Sequence, residues 1–334
     1  MTGNGPPEGP SGGPAKELSK GGRRAAAKAP KGSGAPSRPA LPAAARLPAI
    51  VLARSLKSEH DIMATLITRE KGLVSALAKN ARQSVRRFGG GLLSPGAAAW
   101  YYLKRRPGSP VWFLEKAEAN DKAPVLPSDP LARALASWAL ELVRAFEARD
   151  NPAPETFNLL LRHLADLSKL TDFSPPALDA RSRSVAFCKL YLELAGFGPD
   201  LASCRSCGSS RAPYFRLDPL ARGLICPKCG GFGINRQGAL SKAAAASLAS
   251  VQSCARPPSL SEEETRAAEG FFRKLATLEA GRSFKSPKVA EQLLSEAKKE
   301  DGQAAEANEA EEPGEAGAER ADSNEADSQA RRPF

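Results

Sequence analysis

The sequence predicts an α+β protein, in which an N-terminal OB-fold β-barrel is followed by a mainly helical domain with an inserted four-cysteine module. Three observations predict this architecture. Short apolar segments rich in β-forming residues are concentrated between residues 47 and 120. Apolar residues then recur at helical spacing. Two Cys-x-x-Cys pairs interrupt the helical pattern.

The barrel prediction rests on five short segments with the pattern of strands. They cover residues 49–53, 61–68, 73–78, 97–103 and 111–117. The sequence Arg69-Glu70-Lys71-Gly72 supplies a turn between the second and third segments, and glycine- or proline-rich stretches separate the later ones. Five strands in about 75 residues fit a small barrel such as an OB-fold.

The helical domain is predicted from stripes of apolar residues. The first stripe contains Leu131, Leu135, Trp138, Leu142 and Phe146, with Ser128 or Asp129 as its cap. The later helices are expected at 157–167, 185–195, 239–251 and 262–280, and Pro287 can begin a final short helix. The cysteine module interrupts this series.

Composition sets the boundaries of the parts. Residues 1–46 are rich in Gly, Pro, Ala and Lys, and residues 298–334 are rich in Glu, Ala and Asp, so both ends are predicted to be disordered. Between them we expect the barrel at 47–120, the helical domain at 121–203 and 233–297, and the cysteine module at 204–232. The sequence has no run of 18 apolar residues and no secretory signal, so a cytoplasmic protein without membrane contact is expected.

The formal net charge of +11 is unevenly distributed. Residues 300–334 contain 11 acidic and 3 basic side chains, so the rest of the chain carries +19. A body this basic fits a polyanionic partner, because lysine and arginine gain free energy by displacing counterions from phosphates. A charge that only keeps the protein in solution is the alternative, and composition alone leaves both open.

The paired cysteines have the spacing of a four-thiolate zinc site; they are Cys204, Cys207, Cys226 and Cys229. Two residues between the members of each pair let both sulfurs reach one ion, and Gly208 and Gly230 follow the pairs where a tight turn is needed. Four protein ligands leave no position for water or substrate, so one structural Zn²⁺ per chain is predicted. Two disulfides or a redox pair are the alternatives.

Basic residues are concentrated in the barrel segment. Those predicted to contact DNA are Arg54, Lys57, Arg69, Lys71, Lys79, Arg82, Arg86, Arg87, Lys104, Arg105 and Arg106. For each of them a solvated surface position is the alternative. OB barrels also stack bases on aromatic rings. The available rings are Trp100, Tyr101, Tyr102 and Trp112, of which each is more simply a core residue, and strand alternation sends Tyr101 to the face opposite Trp100 and Tyr102.

Groups suited to catalysis are few. His60 lies at the entrance of a predicted strand, and His163 lies in a leucine-rich helical stripe, where a boundary position is expected. The sequence contains no phosphate-binding loop and no nucleophile elbow, so no enzymatic activity is expected. Of the unpaired cysteines, Cys188 is predicted to be a small buried apolar residue and Cys254 is isolated.

Several motifs, in order, resemble the RecO family across Leu47 to Leu294. They are Ile50-Val51-Leu52, Glu59-x-Asp61, Leu66-Ile67-Thr68-Arg69-Glu70-Lys71-Gly72, Ala78-Lys79-x-Ala81-Arg82, Gly90-Gly91-Leu92-Leu93, Leu192-x-Leu194-x-Gly196-Phe197-x-Pro199-x-Leu201-x-x-Cys204-x-x-Cys207-Gly208 and Gly281-Arg282-x-x-Lys285-Ser286. Each motif alone is weak, whereas their order is specific. Arg222-Gly223 departs from the paired glycines that the family often has.

The resemblance implies a nucleoid-associated recombination mediator of DNA repair with an OB domain, a helical domain and an inserted zinc module. It implies binding of single- and double-stranded DNA and annealing of complementary strands. It further implies partnership with RecR, with the C-terminal tail of single-strand-binding protein, and indirectly with RecA, which is loaded onto coated DNA. Some members lack the cysteines, so the zinc prediction rests on the spacing in this chain.

Two other function classes stay open. A zinc-ribbon protein of transcription or translation would prefer duplex or structured RNA, and a nucleic-acid enzyme with a carboxylate site would need a divalent metal for turnover. The acidic tail also has open roles. It ends in Pro333-Phe334, as the tails of single-strand-binding proteins do, so it can dock on the chain itself, shield the barrel, or remain free.

Overall fold

The computed structural model describes residues 43–170 and 177–311, and its first part is a closed five-stranded barrel. The strands are β1 (Ala45–Leu56), β2 (Ile62–Thr68), β3 (Gly72–Ala78), β4 (Ala98–Arg105) and β5 (Trp112–Ala119). They follow the order β1-β2-β3-β5-β4, and a short parallel pairing of β3 with β5 closes the ring. The predicted barrel is confirmed. β1 begins within the segment that composition assigned to the N-terminal extension, because Arg46 pairs with Tyr102 of β4.

Strand alternation sorts the barrel side chains between two hydrophobic cores. On β1, Val51 points into the barrel, whereas Ile50 and Leu52 point outward and pack against the helices. Ile67 of β2 and Leu73 of β3 join them on the outside. These four outward residues, here called the outer strip, pack the barrel against the helical domain.

The four aromatic residues singled out from the sequence divide between inside and outside. Tyr101 is fully buried, and its hydroxyl donates to two carbonyls of the β3–β4 connection at 2.7 and 3.2 Å. Trp112 is also buried and donates its Nε1–H to Asp150 at 3.1 Å. Trp100 and Tyr102 are half-buried on the outer face. The structure therefore has the predicted alternation, with Tyr101 opposite its two neighbours.

The second part of the chain is mainly helical, as predicted. The helices are α1 (Val85–Phe88), which lies in the β3–β4 connection, α2 (Pro130–Phe146), α3 (Pro154–Ser168), α4 (Ala177–Leu194), α5 (Pro227–Gly230), α6 (Lys242–Ala249), α7 (Glu262–Ala280) and α8 (Ser286–Glu311). Side chains cap several of them. Asp129 accepts the N–H of Ala132 at 2.6 Å, and Ser261 with Glu264 forms a capping box.

Helix α8 is much longer than the short helix expected from Pro287. It continues to Glu311, through residues that composition assigned to a disordered tail. Alanine, glutamate, lysine and glutamine dominate this stretch and are strong helix formers, which explains the extension. No helix in the two described ranges is both long and apolar enough to cross a membrane. The predicted extension before residue 43 and the tail after 311, with its Pro333-Phe334 ending, lie outside the described residues.

The cysteine segment folds as a small sheet. Its strands are β6 (Asp200–Cys204), β7 (Tyr214–Asp218), β8 (Gly223–Ile225) and β9 (Ala239–Ser241), in the order β6-β8-β7-β9. None of these strands is among those predicted from the sequence, and β9 occupies the first three residues of the helix predicted at 239–251; β8 and β9 have three residues each, too few to show alternation. One apolar side chain from each strand packs into the core of the helical domain, so the module shares that core; they are Leu201, Phe215, Leu224 and Leu240.

His163 on α3 is fully buried, so the predicted boundary position is wrong. Its ring stacks on Phe187 of α4 with centroids 4.5 Å apart, and neither ring nitrogen has a hydrogen-bond partner. Burial, helped by the positive charge of Arg183, lowers its pKa to about 3. The imidazole is therefore neutral at physiological pH.

Two polar contacts inside the helical core tie neighbouring helices together. Trp138 of α2 donates its Nε1–H to the Sγ of Cys188 on α4 at 2.8 Å, and burial raises the pKa of that thiol. Cys188 is thus buried as predicted. Arg181 of α4 is 3% exposed and donates to both carboxylate oxygens of Glu269 on α7.

The β2–β3 turn meets the α2–α3 loop so closely that Gly72 has no room for a side chain. Its φ is +55°, and a Cβ there would lie 1.8 Å from the carbonyl oxygen of Asn151. Gly108 has a φ of +73° in open space.

We expect Gly72→Ala to lower the free energy of unfolding by about 3 kcal/mol or more, and Gly108→Ala by only about 1 kcal/mol. Urea denaturation measures both, and equal losses would contradict this account.

His163 is expected to make stability depend on pH. Its folded-state pKa of about 3 lies below the ordinary 6.5, so on acidification the unfolded chain binds a proton that the folded chain does not. Its contribution is fully present above pH 6.5 and is lost as the pH falls towards 3. Between pH 6.5 and 5 we expect a loss of about 2 kcal/mol from this residue. Urea unfolding at both pH values measures it, and His163→Phe should remove this part of the slope; an unchanged slope would refute it.

Candidate metal centre and nucleic-acid interface

Two strand ends bring the paired cysteines together. Cys204 ends β6, and Cys226 follows β8, which runs parallel to β6. Each begins a tight turn. The N–H of Gly208 donates to the carbonyl of Cys204 at 2.8 Å, and that of Gly230 donates to the carbonyl of Cys226 at 2.9 Å. The turns carry the second cysteine of each pair back towards the first.

The four sulfur atoms lie at separations suited to one metal ion. All four Sγ atoms are within 4.8 Å of one another, and those of Cys207 and Cys226 are 3.7 Å apart. Four thiolates bound tetrahedrally to one zinc ion, at about 2.3 Å each, would lie about 3.8 Å from one another. The donor set therefore fits a four-sulfur metal site, in which no position remains for water or substrate.

The cluster is buried on one side and exposed on the other. Cys204 and Cys226 are buried, whereas Cys207 and Cys229 are exposed, and none of the six cysteines forms a disulfide. Burial raises the pKa of the Cys204 thiol, but backbone N–H donors outweigh this effect and bring the pKa to about 6. One of these donors is the N–H of Cys226, at 3.3 Å. The backbone thus favours the thiolate that a metal requires.

The glycines behind the two cysteine pairs have different purposes. Gly208 has a φ of +71°, a left-handed conformation within the predicted tight turn. At the second pair, the left-handed residue is Gly231, with a φ of +64°, and not Gly230. A Cβ on Gly230 would lie 2.5 Å from the ring of Phe232. Gly230 does lie in the predicted tight turn, which its N–H closes on the carbonyl of Cys226, but packing against Phe232, and not a left-handed conformation, excludes a side chain there.

Several of the predicted DNA contacts lie in the loops at one end of the barrel. The guanidinium of Arg87 donates to the carbonyl of Lys79 at 2.7 Å and reaches that of Glu115 at 3.4 Å. Arg82 donates to the carbonyl of Glu59 at 2.9 Å. Lys79, Arg82, Arg86, Arg87 and Arg106 are here called the loop cluster. Within it Arg87 is half-buried and is the main anchor of the loops, while the other four, including Arg82, are exposed.

A ring not predicted from the sequence lies in the same cluster. Phe113 points outward from β5 and is half-buried. The Nζ of Lys79 lies 5.9 Å from its centroid, and the Cζ of Arg106 lies 5.7 Å from it. Once Trp112 is assigned to the core, the alternation of β5 alone places Phe113 outside. A half-exposed ring between cations is suited to stacking on a base beside its phosphates.

Lys104 and Arg105 already hold carboxylates. Lys104 forms an ion pair with Glu115. Arg105 pairs with Asp150 at 2.8 Å and lies over the ring of Trp112, 4.8 Å from its centroid. These partners offset the positive charge, so the two residues present less of it than the loop cluster does.

The remaining predicted contacts are exposed, and of these only Arg69 and Lys71 lie at the other end of the barrel, since the β1–β2 connection is bonded to the loop cluster through Arg82 and Glu59. Arg54 is on β1, and Lys57 begins the β1–β2 connection. Arg69 and Lys71 are in the β2–β3 turn, at the opposite end of β3 from Lys79. The structure therefore separates one group of predicted contacts into at least two places.

A second row of rings lies on the outer face of β4. The guanidinium of Arg46 lies 4.2 Å above Trp100, and the ammonium of Lys116 lies 4.1 Å above Tyr102. Glu118 lies beside both cations and accepts the hydroxyl of Tyr102 at 2.9 Å. This carboxylate makes the row closer to electrically neutral than the loop cluster.

Comparison with known proteins finds similarity over most of the chain. Residues 44–121 match the family model described as "Recombination protein O N terminal", and residues 127–288 match "Recombination protein O C terminal". A protein named DNA repair protein RecO from Anaeromyxobacter sp. (strain Fw109-5) is 33% identical over 237 residues, which cover 68% of this chain and 89% of the relative. A protein of the same name from Myxococcus xanthus (strain DK1622) is 31% identical over 238 residues, which cover 71% of this chain and 93% of the relative. Another protein of this name, from Desulforudis audaxviator (strain MP104C), is 32% identical over 182 residues, which cover 54% of this chain and 68% of the relative.

Proposed function

The chain belongs to the RecO family, and on this premise we propose that it is a DNA repair protein that binds single- and double-stranded DNA and anneals complementary strands. With RecR, it helps to load RecA onto DNA coated by single-strand-binding protein. Its role is that of a mediator that holds and transfers strands, and not that of an enzyme. Its place of action is the cytoplasm, at the nucleoid.

The loop cluster with Phe113 is the observation that carries this proposal. Phosphates attract the cations of Lys79, Arg82, Arg86 and Arg106 whatever the base sequence, and an aromatic ring stacks on any base. Neither contact occupies the hydrogen-bonding edges of the bases. A strand held in this way stays free to pair with its complement, as annealing requires.

The other predicted contacts extend this surface. Arg54 and Lys57, and at the far end of β3 Arg69 and Lys71, are exposed and can add phosphate contacts to DNA that reaches beyond the loop cluster. Lys104, Arg105 and Arg87 contribute less directly, because their side chains hold protein groups.

We further propose that the cysteine cluster binds one structural Zn²⁺. Four thiolates at these separations match the ligands and the tetrahedral geometry that zinc prefers. The metal would fix the two tight turns at the ends of β6 and β8. It would thereby hold Leu201 and Leu224 of those strands in the helical core.

The C-terminal tail of single-strand-binding protein is proposed to enter the apolar cavity of about 380 Å³ between α2, α4, α7 and α8. Leu135, Trp138 and Phe272 form its apolar walls. The arginines that line it are already matched by carboxylates, in the pairs Arg181–Glu269, Arg266–Glu262 and Arg273–Glu291. An acidic tail has to compete with these carboxylates, so its apolar end supplies most of the attraction.

The two other function classes have less support. A zinc ribbon of transcription or translation accounts for the cysteine module, whereas the family similarity extends over the barrel and the helical domain. A nuclease-like site requires clustered carboxylates. In the described part of the chain, the one group of side chains placed to hold a metal is the four cysteines.

Removing charge from the loop cluster is expected to weaken DNA binding. The variant Lys79→Gln/Arg82→Gln/Arg86→Gln leaves the anchoring Arg87 in place, so the barrel should keep its fold. Each lost phosphate contact reduces the slope of log affinity against log salt by about 0.7 on single strands, which gives about two units for three contacts. Fluorescence anisotropy of labelled oligo-dT over a range of salt concentrations measures the slope. If the variant kept the wild-type slope of log affinity against log salt, the DNA-binding site would lie elsewhere.

Two further variants make this test specific. The distal control, Lys122→Gln/Arg162→Gln/Lys169→Gln, removes the same charge from exposed positions outside the barrel strands and should keep the wild-type slope. Phe113→Leu keeps every charge and should weaken binding of oligo-dT by about tenfold at an unchanged slope, because only stacking is lost. Full affinity in Phe113→Leu would exclude this ring from the site.

Freshly purified protein is expected to contain one zinc per chain. Cys226→Ser should lose the metal and lower the thermal stability of the helical domain, because the site and the sheet fold together. Cys254→Ser is the matched control, since Cys254 is also buried but lies outside the cluster, and it should keep its zinc. Elemental analysis by mass spectrometry gives the metal content. Metal-free protein with four reactive thiols would refute the zinc proposal.

A further inference from the structure

The cysteine module has a second surface of cations and rings that the proposed function leaves unused. Alternation along β7 creates it. Phe215 points into the helical core, so Tyr214 and Arg216 lie on the opposite face. The loop that follows the second cysteine pair folds over this face and brings Phe232 and Arg236 to it.

Cations and rings alternate across this face. The Cζ of Arg216 lies 4.1 Å from the ring centroid of Phe232, the rings of Phe232 and Tyr214 are 6.1 Å apart, and the Cζ of Arg236 lies 5.3 Å from the centroid of Tyr214. These four residues are here called the module patch. A guanidinium stacked by its face keeps N–H groups at its edge, where they can donate to phosphate oxygens.

The charge around the patch fits a polyanion. Residues 200–241 contain 6 basic and 2 acidic side chains. Two of the arginines already hold carboxylates. Arg211, Lys228 and Arg236 are exposed, and no ion pair engages them within residues 43–170 and 177–311.

Contacts within the module hold the loop in shape. The hydroxyl of Tyr214 donates to the carbonyl of Gly233, and Arg216 donates to the carbonyl of Asn235 at 3.3 Å. Between these anchors Ile234 is 94% exposed. The loop therefore presents an apolar tip beside the cations without first having to fold around a ligand.

The module patch and the loop cluster belong to two parts of the chain that pack against different helices. Strands β7 and β9 pack on α6 and α7, whereas strands β1 and β2 of the barrel pack on α2 and α3. One chain thus carries two separate surfaces of similar chemistry, cations interleaved with half-exposed rings.

We propose that the module patch is a second binding site for single-stranded nucleic acid, which holds one strand while the barrel holds another. The proposal rests on the proposed DNA binding of the barrel. Both surfaces offer contacts to phosphates and base faces and leave the pairing edges free. Two complementary strands held by one chain would meet at a high local concentration, which speeds their pairing without any new contact between them.

The number of strands bound per chain tests the proposal. Full-length protein is titrated at low salt with labelled oligo-dT of about 12 nucleotides, which is within the site size of one OB barrel. Wild type should bind two strands per chain. The module variant Arg211→Gln/Lys228→Gln/Arg236→Gln should bind one, with its second-strand affinity reduced at least about tenfold. These three residues are exposed, and the variant leaves the loop anchors Tyr214 and Arg216 intact.

Controls separate this site from the barrel site. The distal control should still bind two strands, and the loop-cluster variant should keep the strand held by the module. Photo-crosslinking of a bromodeoxyuridine oligonucleotide, read by mass spectrometry, should reach Tyr214 or Phe232 in wild type and in the loop-cluster variant.

Two strands on the module variant, or no crosslink to either ring, would overturn the proposal. The proposal would also be overturned if the module variant lost binding to another protein but still bound two strands per chain, because the patch would then be a protein interface. Failure of the barrel proposal gives a different result. In that case the loop-cluster variant would bind as many strands as wild type, whatever the module variant does.

Discussion

Strand β1 belongs to two hydrophobic cores at once, and the positions of the other elements depend on it. Ala49 and Val51 fill the barrel, while Ile50 and Leu52 enter the core of the helical domain. Because side chains alternate along a strand with a period of two, a shift of one residue would exchange these sets and place each in the core that the other now fills. Pairing with β2 on one side and β4 on the other excludes such a shift. The same register sets where the loops of the barrel emerge.

The helical core is continuous from the outer strip of the barrel to the sheet of the cysteine module. Ile67 of the barrel and Phe215 of the module belong to the same set of packed apolar residues. Side chains that can bind nucleic acid stand on loops and outward strand positions around this scaffold, where they do not disturb its packing. Arg87 connects the binding loops to the scaffold, because its guanidinium donates to backbone carbonyls. Its neighbours in the loop cluster face solvent.

Features with a local, periodic signal could be predicted from the sequence, and features made by distant contacts could not. The alternation of the barrel strands and the Cys-x-x-Cys spacing are local, so the barrel and the cysteine cluster follow from them. His163 was misplaced because the ring that covers it, Phe187, comes from another helix. Arg87 differs from Arg86 because its guanidinium reaches the carbonyl of Lys79, 8 positions earlier, and that of Glu115, 28 positions later. A row of arginines in a sequence does not reveal which one holds the loops and which ones are free.

During synthesis the outer strip emerges before the helices that cover it. Its last residue, Leu73, precedes the end of α3 at Ser168 by about 100 residues, and a ribosome adds roughly 5–20 residues per second. For several seconds, therefore, the nascent barrel displays an apolar band that includes Ile50 and Leu52 and has no partner of its own. The barrel can form its hairpins early but completes its surface only when α2 and α3 arrive. Translation speed across this interval then sets how long the nascent chain is open to association with other chains.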